Sequence, residues 1–363
     1  MGISVYIGAE AIVSPLGQTA ASNMDRVLAG HSGITLQKRG GWKESDVYAA
    51  VVPGMPLKGK FEQLLEQSLS AVMEQWDPSL LSSEDTLLVI SSTKGGIADN
   101  IADPFQPAVS RLGSRFFLRH RPLVISNACI SGVVAVNTAA RLLKAGLYRH
   151  VVVAGSDVVS DFVLYGFQSL YAVSDEPCRP FDRDRKGVSL GEAGGALVLS
   201  AEKSSFAGEP FLYRGGAGAN DANHISGPSR TGEGLVRAVS KAIGKAGIDR
   251  REIGYINAHG TGTNFNDEME SIAFGRLGLE HIPLNSLKGY WGHTLGAAGI
   301  IETAACLQMM RRGSLAASLG YRSQGTSVPL NVLTGNQAPE KEIFLKTASG
   351  FGGGNAALII EKI

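Results

Sequence analysis

Cys129, His259 and His293 are the residues in this chain whose types and settings could do chemistry: a thiol nucleophile and two imidazoles, a set suited to acyl transfer through a thioester. Cys129 lies in Asn127-Ala128-Cys129-Ile130-Ser131-Gly132, just after a short apolar run and just before a helix-length segment. A thiol there feels the positive end of the helix dipole, which favours thiolate. His259 lies in Asn257-Ala258-His259-Gly260-Thr261-Gly262-Thr263, and His293 closes Lys288-Gly289-Tyr290-Trp291-Gly292-His293 ahead of Thr294-Leu295-Gly296. Taken singly, Cys129 also reads as a small hydrophobe in a core turn, and each histidine as a satisfied core or capping residue. Taken together, they stand at strand ends of an α/β framework, where binding sites collect.

The elements that must position them are legible as apolar runs. Runs rich in branched residues at 86–91, 123–126, 150–154 and 195–199 predict buried strands, separated by helix-length segments such as 61–76 and 131–145. The second half repeats the scheme, with strands at 253–258, 282–285, 343–347 and 356–361 and helices near 232–246, 267–277 and 296–311. This alternation predicts an α/β protein with buried sheets. Segments 123–146 and 284–313 both read as strand, tight turn and a helix apolar on nearly every face, hence buried on all sides. Their loose echo, Thr138-Ala139-Ala140 against Thr303-Ala304-Ala305, suggests duplicated halves around central helices, joined through the polar stretch 201–208.

Composition narrows the function. The 363 residues are 44% hydrophobic and carry a net charge of +1, which leaves no overall field for nucleic acid or an anionic membrane surface. No apolar run is long enough to cross a bilayer, and the first residues lack a basic leader, so an untargeted cytoplasmic protein is expected. Cys129, Cys178 and Cys306 show no paired spacing for a disulfide framework or a zinc site, so no metal is expected. Glu302 interrupts an apolar helix, and a carboxylate buried there needs a partner.

Several separated motifs carry a family resemblance. The cysteine turn is followed by Arg179-Pro180-Phe181-Asp182-Arg183-Asp184-Arg185 and by Leu190-Gly191-Glu192-Ala193-Gly194-Gly195. The two histidine segments come next, and Gly350-Phe351-Gly352-Gly353-Gly354-Asn355 closes the series. In this order they resemble an elongating β-ketoacyl-acyl-carrier-protein synthase of the thiolase-like superfamily, from Val5 to the C-terminus. The resemblance implies a five-layered αβαβα fold, with an N-terminal half (1–200) bearing the nucleophile and a C-terminal half (201–363) bearing both histidines.

The implied reaction is decarboxylative condensation of an acyl group on Cys129 with malonyl-acyl-carrier protein, in fatty acid, polyketide or aryl polyene biosynthesis. His259 and His293 resemble the pair that drives decarboxylation, and Lys288 with Glu302 the supporting ion pair. The backbone N–H groups of Cys129 and Phe351 resemble an oxyanion hole, and the Phe351 ring a gate. Thr261 and Thr263 match hydroxyls that contact phosphopantetheine, although both also suit the start of the following helix. No cofactor is implied beyond the phosphopantetheine of the acyl carrier protein. The carrier protein is the implied partner and a homodimer the implied assembly, with a heterodimer of related subunits as the alternative.

Two departures stand out. Ser349 occupies a place where many members carry phenylalanine, and segment 101–121 is shorter than usual, with a basic run Arg111, Arg115, Arg119, His120 and Arg121 that suits either an acidic carrier protein or a solvated loop. Among rival readings, a thiolase would need a second cysteine near Ser349, and a coenzyme-A-dependent initiating synthase an asparagine in place of His293. A chain-length factor typically lacks the nucleophile, and a cysteine hydrolase leaves Lys288 and one histidine unexplained.

Overall fold

The computed structural model describes residues 2–221 and 227–363. Ten strands form one mixed sheet: β1 (Tyr6–Val13), β2 (Thr86–Ser91), β3 (Leu123–Ile125), β4 (His150–Asp157), β5 (Ala193–Ser200), β6 (Phe211–Asn220), β7 (Ile253–Asn257), β8 (Leu284–Asn285), β9 (Ile343–Gly350) and β10 (Gly354–Lys362). Their order is β8-β7-β9-β10-β6-β1-β5-β4-β2-β3. Within the sheet the halves meet at β1 and β6, where Tyr6 pairs with Leu212 and Ile7 with Phe211. Outward from that junction each half runs through two antiparallel pairings and then two parallel ones. Residues 201–210 connect β5 to β6.

The helices that matter for the site are α1 (Lys60–Met73), α2 (Gln106–Arg115), α3 (Ser131–Lys144), α4 (Asp161–Ser169), α5 (Glu233–Ala246), α6 (Asn264–Leu277) and α7 (Ala298–Arg312). Side-chain alternation along the strands explains the layering. Val151 and Val153 of β4 face α3 and α7 in one core, whereas Val152 and Ala154 face α1 in another. In the second half, Leu358 and Ile360 join the central core, and Ala357 and Ile359 pack under α5 and α6. The result is helix, sheet, helix pair, sheet, helix: the expected αβαβα order. Strands buried on both faces read as near-continuous apolar runs, which is why they were visible in the sequence.

The central pair, α3 and α7, is where the echoing segments meet. A Cβ on Gly132 would lie 2.8 Å from the Ile300 nitrogen, and one on Gly299 2.4 Å from the Val133 nitrogen, so the two helices touch backbone to backbone near their N-termini. One expected loop is instead structured. The basic run in 101–121 is partly the helix α2, where Arg111 pairs with Glu66 at 2.5 Å and Arg115 with the same carboxylate at 3.3 Å. Its apolar residues Ala108, Val109 and Leu112 are buried against the α1 core, a helical spacing the sequence reading passed over. Among the described residues no helix is long and apolar enough to cross a membrane.

Candidate active site

Cys129 sits between β3 and α3, 6% exposed. Ala128 before it takes a positive φ of 45°, and Ser131 closes the turn: its Oγ accepts from the Asn127 N–H at 2.7 Å and donates to the Ala128 carbonyl at 2.6 Å. The Phe351 N–H lies beside the Cys129 sulfur, where it favours the thiolate. Gly350 packs closely here, since a Cβ would come 3.1 Å from the Cys129 nitrogen, tighter than an ordinary contact. Burial pushes the thiol up to about 11, against the opposing pull of Lys288. The helix dipole favours thiolate, but burial works against it and raises the thiol.

His259 follows β7 in a turn held by two carboxylates one helical turn apart on α6. Glu270 accepts the N–H of His259 at 2.8 Å and of Gly260 at 2.6 Å, and Asp267 accepts those of Thr261 at 2.9 Å and Gly262 at 3.2 Å. Four successive backbone donors are therefore satisfied away from water. Asp267 also accepts the Phe181 N–H at 2.7 Å and lies 3.7 Å from Arg185, which ties the Arg179–Arg185 motif to the histidine turn.

His293 is placed by a backbone zipper. Its N–H donates to Ser189 O at 2.7 Å, and its carbonyl accepts from Gly191 N at 3.0 Å. The approach demands glycine: a Cβ at Gly191 would fall 1.8 Å from Trp291 O, and Gly292 has a φ of +67°. Beyond His293, Asp157 takes the Gly296 N–H at 2.7 Å and pairs with Lys94 at 2.7 Å.

These elements bring the three side chains together. Cys129 Sγ and a ring nitrogen of each histidine lie within 4.8 Å of one another, and the two imidazoles meet edge-on with centroids 5.0 Å apart. Lys288, fully buried, donates to His259 O at 2.5 Å, lies 3.3 Å from His259 Nδ1 and pairs with Glu302 at 2.8 Å. An ammonium only donates, so His259 Nδ1 is an acceptor and the ring proton resides on Nε2. His293 Nδ1 likewise accepts the Leu295 N–H at 3.3 Å, and its buried Nε2 has no hydrogen-bond partner among the described residues. Burial, reinforced by Lys288, holds both imidazoles well below the usual histidine range. Two neutral rings with Nε2–H donors, beside buried ammonium groups, suit an oxyanion and oppose a cation.

A cavity of about 420 Å³ opens onto this cluster. Thr261 and Thr263 line it with their hydroxyls 2.9 Å apart, and Thr263 also caps α6 through the Asn266 N–H. Phe351 stands at the wall, 37% exposed, with its ring 5.3 Å from that of Phe167 on α4. Ser349, where an aromatic was the common pattern, donates to Asn355 Oδ1 at 2.8 Å. The sequence reading missed Asp157, Lys94 and Lys346. Lys346, an ammonium inside the apolar strand β9, lies 2.5 Å from Glu302. Its signal was a lone charge inside an apolar run, the same signal that flagged Glu302.

Fold and site together define a condensing enzyme of the thiolase-like class. Residues 107–205 match the family model described as "Beta-ketoacyl synthase, N-terminal domain", and residues 212–322 that of "Beta-ketoacyl synthase, C-terminal domain". The chain belongs to the β-ketoacyl synthase family, whose members are acyltransferases. It is 31% identical over 288 residues to Nodulation protein E of Rhizobium meliloti, covering 77% of this chain and 71% of that protein. It is 27% identical over 411 aligned positions to 3-oxoacyl-[acyl-carrier-protein] synthase 2 of Vibrio cholerae, covering 99% of each. A similar solved structure is the ketosynthase ApeO in complex with its chain length factor ApeC from Xenorhabdus doucetiae, with a TM-score of 0.87, 28% identity and coverage of 99% and 98%.

Proposed function

We propose that this chain loads an acyl group onto Cys129 from an acyl carrier protein and condenses it with malonyl-acyl-carrier protein. In loading, the Cys129 sulfur attacks the incoming thioester, and the thiol proton leaves with the departing phosphopantetheine sulfur. Malonyl thioester then enters the cavity past Thr261 and Thr263. The Nε2–H groups of His259 and His293 donate to its carbonyl oxygen and stabilise the enolate formed as carbon dioxide departs. The enolate carbon attacks the acyl-Cys129 carbonyl, whose developing oxyanion meets the N–H groups of Cys129 and Phe351. Collapse releases the β-ketoacyl thioester and a Cys129 thiolate, which takes a proton from solvent. Lys288, held by Glu302, fixes the His259 tautomer.

The observation that carries this reading is the tautomer of the two histidines: each Nδ1 is an acceptor, leaving two Nε2–H donors beside one sulfur. A hydrolase would need one imidazole as base and would have no use for the second donor. A carrier-protein partner is supported by the Vibrio cholerae relative, and a dimer with an identical or a related subunit by the ketosynthase that binds a chain length factor. The product enters fatty acid, polyketide or aryl polyene synthesis. A non-catalytic chain-length-factor role is disfavoured by the intact cysteine and both histidines. The test is incubation with acyl- and malonyl-carrier protein, followed by mass spectrometry and carbon dioxide release. An acyl adduct on Cys129 that disappears in Cys129→Ala supports the proposal, and an adduct that persists in that variant overturns it.

A further inference from the structure

Glu302 is shared between two ammonium groups. Its Oε1 faces Lys288 at 2.8 Å, and its Oε2 faces Lys346 at 2.5 Å; both lysines are fully buried and Glu302 nearly so. Lys346 comes from the middle of β9, reaches in from the second half of the sheet and donates to its neighbour's carbonyl, Thr347 O, at 2.7 Å. One carboxylate cannot neutralise two ammonium groups, so a single pair Lys288–Glu302 would be electrically balanced and the trio is not.

The nearby charges cancel that excess only in part. Lys94 and Asp157 form a balanced pair. Asp267 faces Arg185, and Glu270, which has the backbone N–H groups of His259 and Gly260, Thr347 and Asn266 as donors and no ion-paired cation among the described residues, is raised to about 7 by burial and so is incompletely ionised at neutral pH. Cys306, close to Lys346, and Tyr255, beside Cys306, are held protonated by burial.

We infer that Lys346 is a positioning residue for decarboxylation: by engaging the second oxygen of Glu302 it leaves net positive charge beneath the two imidazoles, and the enolate forms against that charge. The inference rests on the proposed condensation. It assigns to this strand lysine a role that a lone supporting ion pair does not fill. A buried positive charge acts most strongly where negative charge develops out of reach of water.

Charge counting supplies the test. Lys346→Met leaves Lys288 and Glu302 balanced, whereas Lys346→Met/Glu302→Gln restores the excess through Lys288 alone, which keeps its bond to His259 O. Carbon dioxide release from malonyl-carrier protein is measured for each folded variant. Lys346→Met lowers kcat by about tenfold or more with little change in KM, and the double variant recovers most of that loss. A double variant no faster than Lys346→Met overturns the inference, and so does a rescue that tracks recovered stability in urea unfolding, because removing both partners of a buried pair can restore structure by itself. Should Lys346→Met fail to fold, Lys346→Gln takes its place with the same charge count and the same expected order. Absence of carbon dioxide release from the unaltered protein would instead reject the condensation itself.

Discussion

Gly132 on α3 and Gly299 at the start of α7 meet with no room between them: a Cβ on Gly132 would lie 2.9 Å from the Gly299 Cα. This contact decides the distance between the cysteine turn, three residues before Gly132, and the loop that carries His293, six residues before Gly299. The obstructing atoms are backbone, so neither helix can yield by rotating a side chain. Gly132→Ala is therefore expected to cost about 1–3 kcal/mol and to separate the two helix heads. Thermal melting should show a lowered Tm; an unchanged one would mean that the helices do not approach as described.

The thiol of Cys129 is raised to about 11, so it is protonated at neutral pH and the nucleophilic form grows as pH rises towards that value. Iodoacetamide labelling of Cys129, followed by peptide mapping to separate it from Cys178 and Cys306, should accelerate about tenfold per pH unit between pH 7 and 10. A rate already level at pH 7 would contradict a buried neutral thiol.

His293 turns towards the cluster a buried Nε2 with no hydrogen-bond partner among the described residues, whereas the Phe351 N–H beside Cys129 does not depend on that ring. In His293→Ala, decarboxylation of malonyl-carrier protein should fall by about 10²–10³-fold. Acyl loading, followed by intact-protein mass spectrometry, should suffer far less. Equal losses in both steps would undo this division of labour.

Asp267 holds three backbone N–H groups and faces Arg185, whose side chain is 5% exposed. Asp267→Asn leaves that guanidinium buried without its counter-charge and replaces two accepting oxygens by one. A loss of about 3 kcal/mol is expected in urea unfolding, with a weaker grip on the 259–262 turn. A variant as stable as the parent would show that the Arg179–Arg185 motif does not lean on α6.

Much of the architecture was present in the order of residues. Strands buried on both faces, such as β4 with Val151 to Ala154, spell continuous apolar runs, and α7 is apolar all round because layers close over every side of it. The types and local turns of Cys129, His259 and His293 were equally legible, as was the need of Glu302 for a partner. Local pattern could not decide what depends on distance through space. The raised thiol of Cys129 follows from burial, to which the distant Gly350–Phe351 turn contributes, against the pull of the local helix dipole. The tautomer of His259 follows from an ammonium 29 residues further along the chain. Lys346 joins Glu302 only because β9 passes beside α7, and a strand's sequence carries no record of the helix it will cover.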